Sequence, residues 1–188
     1  MSDVMVKAAR PADEPAVLAL VQAEMRAQED VDSRFRLRPD GIPRYAAYLQ
    51  KRLREIDSTV FVAMIDGETV GVAVGSIRIQ EAFFEPRRFG YVSDLVVHPS
   101  WRRHGVGRAL WDRVALWFRG LGVDVVRLHV AARSREAQSF WESVGADPFL
   151  TESWIDLPAV APGDGSGETK EAVPAVGPPG GARKGGEG

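Results

Sequence analysis

Between Tyr91 and Ala131 a strand pattern, a glycine-bearing turn, a helical pattern of about 14 residues and a second strand pattern follow one another, and few folds accommodate that succession. YVSDLVV is rich in β-branched residues and stops at His98-Pro99, since proline cannot donate to a ladder. RRHGVGRALWDRVALWFRG then places Val106, Leu110, Val114, Trp117 and Phe118 on one helical face, and VDVVRLHVA follows directly. Two strands joined by a helical crossover are expected to lie parallel in one sheet.

The segments on either side fill in the rest. TVFVAMI and ETVGVAVGSIRI are separated by Asp66-Gly67, a strong hairpin signal, so these strands are antiparallel. Before them come two amphipathic helices. The first starts at Asp13-Glu14-Pro15, repeats Val17, Leu20, Val21 and Met25, and frays near Asp30. The segment DSRFRLRPDG breaks it, and the second carries Ile42, Tyr45, Leu49, Leu53 and Ile56. A last helix spans Ser134 to Val144 with Ala137, Phe140 and Trp141 on one side and Gly145 as its stop, and FLTESWIDL reads as a final strand. The expected fold is α/β (α+β), a three-layer sandwich around a mixed, mostly antiparallel sheet. Residues 1–157 form its single domain. Residues 158–188 hold nine of the 19 glycines and five of the 12 prolines, with almost no large apolar side chain, and read as a flexible tail.

Charge and composition exclude several functions. With 24 Lys+Arg against 26 Asp+Glu the formal net charge is -2, which argues against a protein that works on the phosphate backbone of nucleic acid. Cysteine is absent, so there is no thiolate nucleophile and no Cys-containing zinc site. His98, His104 and His129 match no metal-ligand spacing, and no metal is expected. No run approaches the roughly 18 apolar residues of a membrane span, and the N-terminus lacks a signal-peptide layout, so a cytoplasmic location is expected.

The chemistry concentrates at Arg102-Arg103-His104-Gly105-Val106-Gly107, between a strand end and a helix start. Backbone N–H groups in such a turn, with the dipole of the helix it opens, make a cradle for a phosphate or pyrophosphate. Gly105 and Gly107 let the backbone come close, and Arg102, Arg103, His104 and Arg108 supply local positive charge. Glycine is common at turns, so an ordinary surface turn explains the same letters equally well. There is no third glycine for a dinucleotide fingerprint and no G-x-x-x-x-G-K-[ST] for a Walker loop.

The motif Arg102-x-x-Gly105-x-Gly107, with YVSDLVVHPSW before it and AQSFWESVGA after it, resembles the GCN5-related N-acetyltransferases over most of residues 5 to 157. That resemblance implies an acetyl-CoA wedge where the YVSDLVV strand splays from the next one. Residues 102 to 108 would hold the pyrophosphate, and the main chain of Leu95, Val96 and Val97 would run beside the pantetheine arm as an added strand. One of those N–H groups would polarise the thioester carbonyl. Ser134 stands where the family often has an Asn that contacts the cofactor, and it serves equally as a plain N-cap.

The same family often places Glu or His at the positions of Tyr91 and Ser93, and a Tyr general acid at that of Trp141. Asp94 is the nearest carboxylate, in a YxxDLxV pattern similar to that of some aminoglycoside acetyltransferases. Strand alternation puts it on the face opposite Tyr91, Ser93 and Leu95 unless a bulge intervenes, so Asp94 is either the base or a structural Asp, and a chain of waters could serve instead. Thiolate release needs no acid, or Tyr91 or another hydroxyl stands in. The acceptor side is expected from the loop between the first two helices and from QEAFFEPRRFG, where Glu81, Glu85 and Asp94 would attract a cationic amine and Phe83 and Phe84 would pack its body; exposed loop residues with no role explain the same letters. The implied activity is acetyl transfer from acetyl-CoA to a primary amine of a small molecule or peptide, and the alternative is a non-catalytic acyl-CoA-binding module. Small domains of this family are often homodimers, though no feature here specifies an interface.

Overall fold

The structure, a computed structural model, describes residues 3–86 and 88–157. Asp66 and Gly67 both adopt positive φ, 50° and 87°, the conformation a tight hairpin asks of its two central residues. The turn joins β2 (Ser58–Ile65) to β3 (Glu68–Ile79), and β4 (Arg88–Val97) adds antiparallel to β3. On the other side β1 (Met5–Ala8) pairs antiparallel with β2, and β5 (Val126–Leu128) pairs parallel with β4 after a helical crossover. The sheet order is β1-β2-β3-β4-β5, mixed and mostly antiparallel as the sequence predicted.

Helices cover both faces. Val17, Leu20 and Val21 of α1 (Glu14–Val31) and Tyr45 and Leu49 of α2 (Gly41–Arg54) pack on Val60, Val62, Val72, Val74 and Val96. On the opposite face Val106, Leu110, Val114 and Phe118 of α3 (Val106–Gly120) meet Phe61, Ala63, Ile65, Val70, Ala73 and Val92, joined by Trp141 of α4 (Arg135–Ser143). Three strand glycines let α3 lie close: a Cβ would stand 3.0 Å from Leu110 at Gly71, 3.2 Å from Phe118 at Gly75 and 2.7 Å from Phe118 at Gly90. Leu110 is fully enclosed, so Leu110→Ala is expected to cost about 2–5 kcal/mol, read as a lower urea midpoint at unchanged slope.

Three expectations need correction, and one strand goes beyond them. β1 carries only four residues at the sheet edge, too short for its alternation to stand out in the sequence. VDVVRLHVA forms a strand only over Val126–Leu128, because its pairing with β4 ends there. Ile56 is 97% exposed, since α2 stops at Arg54 before its stripe reaches that position. FLTESWIDL takes no strand over its nine residues, for strand propensity needs a ladder partner to be realised.

The chain divides into two units, Met1–Pro148, which holds all the elements above, and Phe149–Gly188. In the second, residues 149–157 form no helix or strand, and the expected tail, 158–188, lies outside the described residues. Among the described residues no helix is long and apolar enough to cross a membrane.

Candidate functional site

The centre of β4 holds one residue more than β3 opposite it. Val74 faces Asp94 and Gly75 faces Val92, which leaves Ser93 between them as a bulge. The extra residue changes which side chains share a face. Gly90 and Val92 lie against α3, and so do Leu95 and Val97 beyond the bulge, whereas Asp94 and Val96 turn toward α1 and α2. The bulge that the sequence left open is therefore present.

At the same point β4 leaves its parallel neighbour. Their pairing runs from Gly90↔Val126 to Val92↔Leu128 and stops. The His98 N–H donates to the Val70 carbonyl at 2.8 Å, which fixes the alternation along this half of the strand. Val96 thus points its N–H to β3, while Leu95 and Val97 point theirs to the free edge. Of the three residues expected beside a pantetheine arm, two present main chain to the wedge and Val96 presents a side chain to the core.

Asp94 sits among hydroxyls. The Ser93 hydroxyl donates to Asp94 Oδ2 at 2.7 Å, and Tyr48 Oη of α2 lies 2.7 Å from the same Ser93 oxygen. Since Ser93 spends its one proton on the carboxylate, Tyr48 is the donor in that second contact, giving a chain Tyr48 to Ser93 to Asp94. Burial pushes the Asp94 carboxyl up, opposed by the Ser93 hydrogen bond, by Tyr45 and by the charge of Arg52. Burial and the Asp94 charge together push the Tyr45 phenol far up, and its buried hydroxyl has no conventional hydrogen-bond partner among the described residues. Arg52 stands over the Tyr48 ring at 5.0 Å and steadies that side of the chain.

The glycine turn has the backbone of an anion cradle. A short 3-10 turn, Pro99–Trp101, leads to Arg103 and Gly105, both at positive φ, and α3 opens at Val106. The first helical N–H groups, those of Val106, Gly107 and Arg108, have no carbonyl one turn back to accept them. A Cβ at Gly105 would meet nothing within 4 Å, so that position is needed for its left-handed φ and leaves room above the turn. Gly107 differs: a Cβ there would stand 3.2 Å from the Phe140 ring and 3.7 Å from Leu95, so its smallness lets α3 approach α4 and β4.

The basic side chains divide. Arg102 does not surround the turn with charge; it donates to the Val97 carbonyl at 3.3 Å, to Glu136 at 2.9 Å and to Glu24 at 2.9 Å, clamping α1 and α4 to the end of β4. Arg108 pairs with Asp112 one turn along α3 at 3.0 Å. Arg103 is exposed at the turn, and His104 beside it contacts the Arg102 carbonyl through Nδ1 at 2.7 Å. Ser134 caps α4 by accepting from the Ala137 N–H at 3.4 Å. Trp141 is core, edge-on to Trp111 at 5.4 Å.

Tyr91 stands on the Asp94 side of the sheet, opposite Ser76. Its hydroxyl lies 3.1 Å from His129 Nδ1, and the Arg78 guanidinium rests over its ring at 3.3 Å from the centroid. Asp32, buried where α1 ends, accepts from Arg34 and pairs with Arg133 at 3.3 Å, joining that helix end to the segment before α4. The Arg34 hydrogen bonds hold its carboxyl far below the usual range. The sequence reading missed Tyr48, Arg78 and the His129 contact. Tyr45 was counted only as apolar, and Tyr48 three residues on carries the only available hint, a second phenol on the same helix surface. Among the described residues no cluster of His, Cys, Asp or Glu could hold a metal ion.

A model of the acetyltransferase (GNAT) family matches residues 23–146. A curated relative, aminoglycoside N(6')-acetyltransferase type 1 of Stenotrophomonas maltophilia, is 33% identical over 99 residues, covering 46% of this chain and 63% of that protein. The chain thus matches somewhat less than two thirds of that relative's length. The aminoglycoside antibiotic 6'-N-acetyltransferase of Acinetobacter haemolyticus, solved without ligand, superposes with a TM-score of 0.66 at 17% identity over 82% of this chain and 99% of that one. An aminoglycoside N-acetyltransferase solved in complex with CoA gives 0.67 at 16% identity over 85% and 97%. At those identities the likeness is one of fold.

Proposed function

Because the chain belongs to the acetyltransferase (GNAT) family, we propose that it moves the acetyl group of acetyl-CoA to a primary amine of a small molecule or peptide, with Asp94 as the base. The observation that carries this reading is the bulge at Ser93, which turns a carboxylate raised by burial toward the acceptor side just where β4 parts from β5. A CoA solved on the same fold supports it.

The residues present fit that cosubstrate. The N–H groups at the start of α3, with Arg103 and His104 exposed beside them, would take the pyrophosphate. The free edge of β4 would pair with the pantetheine amides through Leu95 and Val97. Acetyl-CoA supplies an activated acyl carbon. Asp94 accepts a proton from the acceptor ammonium, and the freed nitrogen lone pair forms the new C–N bond as the C–S bond breaks. The sulfur leaves with its electron pair as a thiolate, and the second proton of the new amide nitrogen, strongly acidic once the C–N bond has formed, passes through water to that thiolate, while Asp94 returns its own proton to solvent. An N–H of Leu95 or Val97 aimed at the carbonyl oxygen stabilises the charge that develops there. Ser93 and Tyr48 hold the Asp94 carboxylate in place through the chain of hydrogen bonds. The cytoplasm, where this cosubstrate is available, is the compartment the reading calls for. A homodimer is compatible with it and plays no part in the chemistry.

The test is the melting temperature with and without acetyl-CoA at about 100 times its Kd, followed by CoA release with a panel of amines. Binding to the folded state should add about 2.7 kcal/mol, or roughly 5–10 °C for a chain of this length. A shift with no turnover on any amine would favour an acyl-CoA-binding module, and no shift at all would overturn both readings.

A further inference from the structure

Arg78 is an exposed cation that no carboxylate among the described residues satisfies. It lies flat over Tyr91 at 3.3 Å, it is absent from every ion pair among the described residues, and it has no other partner there. Asp57, whose carbonyl accepts the Ile77 N–H at 2.7 Å, is the carboxylate residue beside Arg78 in register and makes no ion pair with it among the described residues. Glu55, just before Asp57 in sequence, is held by Arg52 and Lys51. Stacking on a ring leaves the edge of a guanidinium, with its N–H fork, free to receive a planar anion.

The position of that fork follows from the register. Val74, Ser76 and Arg78 share one face of β3, opposite Asp94, Tyr91 and Phe89 respectively. Arg78 folds back over Tyr91, so its charge is carried from its own place on the strand toward the Ser76 and Tyr91 position. That position is one two-residue step from Asp94, about 7 Å along the strand. The Tyr91 ring that supports it is itself fixed by the His129 contact at 3.1 Å. Asp94 and Arg78 thus stand as opposite charges on one sheet face, Asp94 held by Ser93 and Tyr48 and Arg78 by the Tyr91 ring.

We infer that Arg78, seated on Tyr91, binds an anionic group of the acceptor, so that the substrate is an amine bearing a carboxylate about one strand step from the reacting nitrogen rather than a polycation. This rests on the transferase reading above and names its substrate class. The amine meets Asp94 and the carboxylate meets Arg78.

The experiment compares 5-aminopentanoate with 5-aminopentanamide, which differ only in the anion, and with a polycationic aminoglycoside. Calorimetric Kd values are measured on the full chain saturated with CoA, and CoA release is measured with acetyl-CoA. The carboxylate is expected to bind at least tenfold tighter than the amide. Arg78→Gln should erase that ratio while leaving the amide's own Kd unchanged, and Arg78→Lys, which keeps the charge but not the stacked fork, should retain part of it. Equal binding of the two probes, no measurable binding of either, tighter binding of the aminoglycoside, or a ratio that survives Arg78→Gln would each overturn the inference. A binding preference without CoA release would uphold it and sink the transferase reading. CoA release without a preference would do the reverse.

Discussion

Asp94→Asn is expected to lower kcat for amine acetylation by about 10²–10⁴ while leaving the Kd for acetyl-CoA unchanged, because it removes the proton acceptor and nothing that touches the cosubstrate. Asn can still accept from Ser93 through Oδ1, so the hydrogen-bonded chain to Tyr48 survives the substitution. The stability change should have the opposite sign. Burial raises the folded-state pKa of Asp94 above its unfolded value, so the stability linked to that proton is fully present below the unfolded pKa and is lost as pH rises through the folded one. At neutral pH folding therefore carries the cost of a desolvated charge, and the Asn variant should melt higher than the parent. The same raised pKa sets the acid limb of kcat/KM, which should fall as pH drops through it and should flatten in the variant. Ser93→Ala and Tyr48→Phe leave the carboxylate less well solvated by hydroxyls, and each should move that limb to higher pH with a smaller loss of kcat. An Asp94→Asn enzyme with unchanged kcat would remove Asp94 from the base role.

What could be read in advance divides by the range of the interaction that determines it. The Asp66-Gly67 turn, the α3 stripe from Val106 to Phe118 and the Ser134 cap of α4 depend on neighbours within a turn or a rung, and they stand as predicted. The face of Asp94 depends on how β4 aligns with β3, a pairing of residues about twenty apart, and plain alternation points it the wrong way until the bulge at Ser93 is known. Tyr48 joins the site across 45 residues of sequence, and nothing near Asp94 announces it. Arg102 shows the reverse error. Its letters beside a glycine turn suggest charge for a bound anion, but Glu24 and Glu136 come from helices far away in sequence and capture it. Arg78 was passed over because a lone exposed arginine in a strand means nothing until its ring partner, and the lack of an ion pair among the described residues, are seen together.

Gly107→Glu should abolish the acetyl-CoA shift in melting temperature and raise Kd by at least about 10², equivalent to some 2.7 kcal/mol. Gly107 is the second residue of α3, where the helix still has unmatched N–H groups and favours negative charge. A carboxylate placed there supplies that charge from within and competes with the pyrophosphate for the same donors. The helix itself tolerates an acidic residue in its first turn, so loss of binding need not come from loss of fold. Sterics are the part to control, since a Cβ stands 3.2 Å from the Phe140 ring. Gly107→Ala asks only for a few tenths of an ångström from that ring and should keep most of the affinity, separating crowding from charge. S-acetylpantetheine, which carries the thioester but no pyrophosphate, sharpens the contrast: its slow turnover should be the same in the parent and in Gly107→Glu. Equal loss with both acyl donors would assign the effect to a displaced Phe140 or Leu95, and a full acetyl-CoA shift in the Glu variant would show that the start of α3 does not hold the anion.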